Sequence, residues 1–469
     1  MAEKKITAEK LQKELCYDAE HAMTKQMSDA EVKKADKFAE GYMSFLNTAK
    51  TEREITTFME EKAKSLGFSE FDKSKKYKAG DKVYRVQRNK AILMAVIGKR
   101  PITDGVKLAI SHIDSPRLDL KPNPLYESEE IALFKTHYYG GIKKYQWVTI
   151  PLALHGVVVK ADGTKVTVNI GEDDKDPKFV ITDLLPHLAK EQEKRTLEQG
   201  IKGEELNVLV GSRPFKDEKG ANLVKLNILK ILNEKYGIVE KDFLSAELEV
   251  VPAMKACDIG LDRSLIGGYG HDDRCCAYPA AEAVFNVKNP AFTVVTVLTD
   301  KEEIGSYGNT GLTSAYLPNF INDLADCFGA CGRDVMHASE CLSADVNSAY
   351  DPTFPEVMEK RNVSYINKGV VITKYTGARG KSGSSDASAE LMGKVRGFLE
   401  ANNIVWQIGE LGAVDAGGGG TVALDVAAHD IDVVDLGVPV LSMHAPFEVI
   451  SKIDLYSAYR AFLEFFKLK

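Results

Sequence analysis

Acidic and imidazole residues stand just past short apolar runs at several points of this chain. His112 lies in Ser-His-Ile-Asp-Ser-Pro, Asp272 in Gly-His-Asp-Asp-Arg, and Glu302-Glu303 in Asp-Lys-Glu-Glu-Ile-Gly-Ser. Asp345 lies in Ser-Ala-Asp-Val and His444 in Ser-Met-His-Ala-Pro. The run before His112 begins at Val106, the run before the glutamates at Phe292, and the run before His444 at Leu436. In an open parallel sheet, sites form at the carboxyl ends of strands, so groups far apart in sequence can converge in one crevice. Two histidines, two aspartates and a glutamate are a nearly complete shell for two hydrolytic metal ions. Two such ions about 3.5 to 4 Å apart can generate hydroxide near neutral pH and stabilise a tetrahedral oxyanion. One carboxylate must then bridge them. Glu302 precedes Glu303, so the two carboxylates have different directions available, and one beside a metal-bound water could take its proton. Asp114 follows His112 by two residues, which on an extended segment places both on one face. It can accept the second ring N–H of His112 and fix its tautomer.

The order of these pieces resembles the aspartyl aminopeptidase family of two-zinc peptidases. The matches are His-x-Asp-Ser-Pro at 112–116, Glu-Glu-x-Gly-Ser at 302–306, Ser-Ala-Asp at 343–345 and Met443-His444. Tyr-Gly-Gly at 139–141 and Pro-His-Leu at 186–188 match more weakly. The resemblance spans residues 10 to 465 or so. It implies that Asp272 is the bridge. His112 and Asp345 would complete one metal, and Glu303 and His444 the other. Glu302 would be the general base. His187 would reach the active site of a partner subunit and hydrogen-bond the oxyanion. The cofactor implied is zinc, two ions per subunit, although an oxygen-rich site also tolerates cobalt or manganese. A peptide substrate and a homo-oligomer, with a dimer unit and a tetrahedral dodecamer, are implied too.

Three departures from the family pattern bear on function. Gly270-His-Asp-Asp-Arg replaces an Arg-Leu-Asp-Asn type of stretch, so Asp273 competes with Asp272 as bridge and His271 is a rival ligand. Trp147-Val-Thr-Ile-Pro-Leu lacks the Asp and Arg of a Trp-x-Asp-Arg-x-Leu segment. A residue preference broader than, or shifted from, Asp and Glu is therefore expected. Lys301 stands where an uncharged residue is usual.

The elements that must position these groups follow from composition and periodicity. A chain of 469 residues exceeds what one core supports, so two domains are expected. Its 61 basic and 68 acidic residues are well mixed, with net charge −7, which argues against nucleic acid or anionic membrane as partners. No apolar run reaches the roughly 18 to 20 residues of a membrane span, and Met-Ala-Glu-Lys-Lys-Ile-Thr has no apolar signal segment. The seven cysteines form no disulfide framework, so a cytoplasmic chain with reduced thiols is expected. Cys327 and Cys331 lack a second pair at zinc-finger spacing and read as buried thiols.

Residues 8 to 65 carry apolar positions at helical spacing. Segments beginning at Ala91 and Val106 read as strands. From 125 to 250, Trp147 to Val159 and Lys165 to Ile170 read as antiparallel strands joined by Ala161-Asp-Gly-Thr, and Asp183 to Gly200 reads as a charged helix. None of the candidate metal ligands falls there. Beyond 252 strands and helices alternate, with Ser385-Asp386 capping a helix through Asn402 and a strand from Ile404. Gly417-Gly-Gly-Gly lacks the Lys and Ser/Thr of a phosphate loop. The fold expected is α/β: a mixed, largely parallel sheet flanked by helices, of zinc-exopeptidase type, with an inserted strand-rich dimerisation domain. The catalytic domain would comprise 1–124 and 252–469, and the insertion 125–251. The function expected is a zinc-dependent aminopeptidase. The alternatives are a two-metal amidohydrolase on the same fold, such as an N-acyl amino acid deacylase, and an inactive assembly or cargo protein.

Overall fold

The computed structural model describes residues 7–16, 27–217 and 219–469. The N-terminal stretch forms helices at Ala8–Leu15, Asp29–Thr48 and Glu52–Ser65; residues 17–26, also expected to be helical, lie outside the described residues. Ser28 and Glu31 close one capping box and Thr51 and Glu54 the next, satisfying amides that a helix start leaves free. Ala35, Ala39, Tyr42, Phe45 and Leu46 bury one stripe of the second helix.

That stripe packs on one face of a nine-stranded mixed sheet. At its centre Thr293–Thr299, Val106–His112, Glu340–Ser343 and Asp432–Gly437 lie side by side and parallel. Ala91–Val96 and Val370–Thr373 pair antiparallel on either flank. The central strands are apolar on both faces because helices cover both. Ile92, Met94 and Val96 face the layer holding Phe45, Phe462 and Phe465. Leu93 and Ala95 face the other layer, with Leu317 and Phe320. Among the described residues, no helix is long and apolar enough to cross a membrane.

A second sheet of seven antiparallel strands starts at Arg117, ahead of residue 125, and ends at Pro252. Leu152–Val159 and Lys165–Ile170 form the expected hairpin. The first strand is shorter than its apolar run suggests. Thr149 takes a left-handed φ of 59° and Pro151 has no N–H, so pairing begins only at Leu152. Trp147 instead closes a 3-10 turn and fills this domain's own core. The charged segment Asp183 to Gly200 is not an α-helix. It holds a 3-10 turn at Pro186–Leu188, and Leu184, Leu185, Leu188 and Leu197 stay exposed, so no packing supports helical turns. The helix beside this sheet is Leu223–Tyr236, ended by Gly237 at φ 65°.

A third, five-stranded sheet contains Leu265–Gly268, Pro439–Leu441 and Glu448–Ser451. The apolar run Leu436 to Met443 is thus divided between two sheets, Asp432–Gly437 in the large one and Pro439–Leu441 in the small one. The crossing requires a glycine: a Cβ on Gly437 would lie 1.7 Å from the Asp345 carbonyl oxygen. Ser388, not Ser385-Asp386, caps the helix Ala389–Ala401; Asp386 pairs with Lys374 and Lys381. The cysteines are unpaired, and Cys327 donates to the Asp323 carbonyl.

Trp147 is fully buried. Trp147→Ala should lower stability by about 3 to 5 kcal/mol, measured by urea denaturation. A loss below about 1 kcal/mol would show that the strand-rich core does not depend on it.

Candidate active site

Three adjacent parallel strands deliver one set of groups. His112 is the last residue of Val106–His112 and is fully buried. Thr299 is its neighbour in register, and beyond it Lys301 turns through φ 68° into the short turn Glu302–Ile304. Asp345 follows Glu340–Ser343 by two residues. The small sheet delivers the rest. Asp272 stands at the start of the helix His271–Asn286, just past Leu265–Gly268. His444 follows Pro439–Leu441 and takes a left-handed φ of 64°.

These side chains meet around Asp272. Its Oδ1 lies 3.1 Å from His112 Nε2 and its Oδ2 lies 3.1 Å from His444 Nε2. His112 Nε2 is 3.9 Å from both Asp345 Oδ1 and Glu302 Oε2. His444 Nε2 is 3.7 Å from Glu303 Oε2. The far nitrogen of each ring is also held. His444 Nδ1–H donates to the Gly141 carbonyl at 2.8 Å. His112 Nδ1 lies 3.0 Å from the Asp114 carbonyl and 3.3 Å from its Oδ1. Asp114 in turn accepts from the Glu302 and Glu303 amides, at 3.2 Å each, and from the Tyr139 hydroxyl at 2.8 Å.

This donor set fits divalent cations. In its neutral form, with Nδ1–H donated away, each ring would turn an Nε2 lone pair toward a carboxylate oxygen. Two acceptors so close repel unless a proton or a metal cation lies between them. Ligand atoms about 2.0 to 2.2 Å from one ion are themselves roughly 3 to 4 Å apart, the range seen here. Glu303 Oε1 is buried with no hydrogen-bond partner, a cost that coordination would remove. Two sets of ligand atoms, His112–Asp272–Glu303 and His112–Asp273–Asp345, each lie within 4.8 Å of one another.

The electrostatics agree. Burial, then the neighbouring acids, lifts Glu303 and Asp345 well above the ordinary carboxylate range. Burial lifts Glu302 to about 7. Burial alone would raise Asp272 as well, but the hydrogen bonds of His112 and His444 outweigh it and hold this carboxyl low. Burial works against a charged His444, yet Asp272 and Glu303 raise the ring to about 10. These shifts mark acids taken out of water together, whose ionisation a bound divalent cation would favour.

The rival residues are placed differently. His271 points away, its Nδ1 2.8 Å from the Tyr42 hydroxyl and its Nε2 3.2 Å from the Ile266 carbonyl; burial lowers it to about 3 and keeps it neutral. Asp273 is buried near His112 and Asp345, and its Oδ2 accepts the His112 backbone N–H at 3.3 Å. Asp272, not Asp273, has an imidazole on each oxygen. His187 is exposed, and among the described residues no hydrogen bond or ion pair joins it to the others.

Glu448 is a site residue that sequence reasoning missed. It is 1% exposed, and its oxygens accept the backbone N–H of Asp272 at 3.2 Å and of His444 at 2.8 Å. It thus clamps together the two segments that the small sheet supplies. An acidic residue inside the short apolar strand Glu448–Ser451 was the available signal.

Buried carboxylates and imidazoles gathered at strand ends are the arrangement of a metal-dependent hydrolase, and sequence comparison agrees. Residues 45–466 match the family described as aminopeptidase I zinc metalloprotease (M18). A probable M18 family aminopeptidase 1 of Clostridium acetobutylicum is 50% identical over 449 residues, covering 93% of this chain and 96% of that relative. The crystal structure of aminopeptidase I from the same organism superposes with a TM-score of 0.90 at 45% identity, covering 97% of this chain and 100% of the other. That of an M18 aminopeptidase from Thermotoga maritima gives 0.90 at 42%, covering 95% and 99%. The protein is a metallo-aminopeptidase. It belongs to the M18 family of zinc aminopeptidases.

Glu448→Ala would leave two buried amides unpaired. It should weaken zinc retention or turnover by about 10- to 100-fold, read by dialysis and metal analysis beside a peptidase assay. Parental values in both would remove Glu448 from the site.

Proposed function

We propose that this enzyme removes N-terminal residues from peptides using two divalent ions bridged by Asp272. His112 and Asp345 would complete one ion's ligands, Glu303 and His444 the other's. The observation that carries this reading is the position of Asp272, with an imidazole Nε2 3.1 Å from each oxygen. Bound ions would polarise the scissile carbonyl and lower the pKa of water. Zinc is the family's metal, and cobalt or manganese would suit the same oxygen-rich set.

Glu302 is the proposed general base. Its carboxyl, lifted to about 7 by burial, can take a proton from the attacking water near neutral pH and pass it to the leaving amine. Asp114 holds the Glu302 amide at 3.2 Å and the His112 ring at 3.3 Å, so base and ligand share one anchor. Glu302→Gln should keep the fold and metal yet lose about two to four orders of magnitude in turnover. Near-parental activity in that variant would place the base elsewhere.

We assign the antiparallel insertion, 125–251, to dimerisation, with 1–124 and 252–469 as the catalytic domain. The exposed Leu184, Leu185 and Leu188 beside His187 support this, because neighbouring apolar side chains in water favour a covering partner. On this reading His187 reaches into the partner's site and donates to the oxyanion, and a dimer is the unit of a larger homo-oligomer, a dodecamer. A cytoplasmic location accords with the unpaired cysteines. A preference broader than, or shifted from, acidic N-termini follows from Thr149-Ile150 at the positions of the family's Asp and Arg.

His187→Ala should lower turnover while metal content holds. Mixed with Glu302→Gln chains it should recover part of the activity, since one site of each mixed dimer would pair an intact Glu302 with a partner's intact histidine. Absence of rescue after confirmed subunit exchange would confine His187 to its own chain or to no role.

A further inference from the structure

The strand Ile131–Tyr139 of the antiparallel sheet ends against the site, and its last residue and the two glycines after it each meet a different site residue. The Tyr139 hydroxyl donates to Asp114 Oδ2 at 2.8 Å. A Cβ on Gly140 would lie 3.0 Å from Glu303 Oε2. The Gly141 carbonyl accepts from His444 Nδ1 at 2.8 Å. The Tyr139 ring is itself fixed. It is 9% exposed, and the Arg117 guanidinium stacks 3.9 Å from its centre. Arg117 is in turn held by Asp119 at 2.8 Å, Glu249 at 3.3 Å and Glu52 at 3.4 Å.

We propose that Tyr139 is a positioning residue that sets the His112 imidazole through Asp114. The reason lies in the freedom of an aspartate carboxyl, whose terminal torsion is broad and roughly two-fold. Asp114 has two tasks. Its Oδ1 faces the His112 ring at 3.3 Å and the Glu302 amide at 3.2 Å, while its Oδ2 takes the Glu303 amide at 3.2 Å. The Tyr139 hydroxyl adds a second donor on Oδ2 and so fixes which oxygen faces the ring. Loss of that donor leaves the carboxyl free to tilt, and the ring and the Glu302 turn tilt with it. The Gly141 carbonyl does the equivalent for the His444 ring. One strand end thereby aligns both imidazoles, which makes the insertion part of the catalytic centre as well as a neighbour to it. This inference rests on His112 being a metal ligand.

The test uses the full-length zinc enzyme and a chromogenic zinc chelator in competition. Tyr139→Phe removes one buried oxygen and should weaken retention of one zinc equivalent by about 10- to 100-fold, lowering kcat more than it raises KM. Tyr138→Phe, at an exposed neighbour, should match the parent. Site-specific 3-fluorotyrosine at 139 keeps the donor and should restore zinc affinity and kcat. Parental zinc affinity and kcat in Tyr139→Phe would overturn the proposal. So would a 3-fluorotyrosine protein as weak as Tyr139→Phe, since ring packing and not the hydroxyl would then be at issue. His112→Ala run alongside separates the two readings. If it releases no zinc, the ligand assignment itself fails; if it does and Tyr139→Phe binds zinc like the parent, only the positioning role fails.

Discussion

One buried carboxylate shared by two imidazoles organises this molecule. Asp272 is 3% exposed and has a histidine nitrogen 3.1 Å from each oxygen. Those histidines come from different sheets. His112 ends a strand of the large parallel centre, and His444 follows a strand of the small sheet. The arrangement therefore exists only when both sheets are formed and docked. Glu448 ties the small-sheet segments to one another, Gly437 lets the chain pass from one sheet to the other, and Asp114 joins His112 to the glutamate turn.

Such a centre is costly without cations. Glu302, Glu303 and Asp345 are buried among like charges, and burial lifts all three above their ordinary range. Carboxylates desolvated together are tolerated when they are protonated or when they coordinate metal. Metal binding would thus contribute to the stability of the folded centre as well as to its chemistry. The antiparallel sheet takes part through Tyr139 and the following Gly141, so it bears on the ring orientations.

Much of the site was legible in the sequence because chemistry-bearing residues followed strand-like runs in a recognisable order. His112, Asp272, Glu302, Glu303, Asp345 and His444 do come together, and Asp114 sits beside the His112 ring. What remained hidden was held by backbone groups and by register. Gly141 acts through a carbonyl, which no side-chain pattern reveals. Glu448 serves two amides from a strand that reads as apolar. The run before His444 gave no sign that it serves two sheets, because both halves are equally apolar. Asp183 to Gly200 has the charge spacing of a helix but no buried face, and packing decides. That Asp272 has an imidazole on each oxygen and Asp273 has not is a matter of geometry, since adjacent identical residues differ only in where their backbone aims them.

The most direct measurement is diffraction from crystals of the zinc-loaded enzyme at energies above and below the zinc absorption edge. Two anomalous peaks are expected flanking the Asp272 carboxylate, about 3.5 to 4 Å apart, one beside His112 and Asp345 and the other beside His444 and Glu303. A single peak, or a pair with Asp272 outside the space between them, would contradict the shared-carboxylate centre.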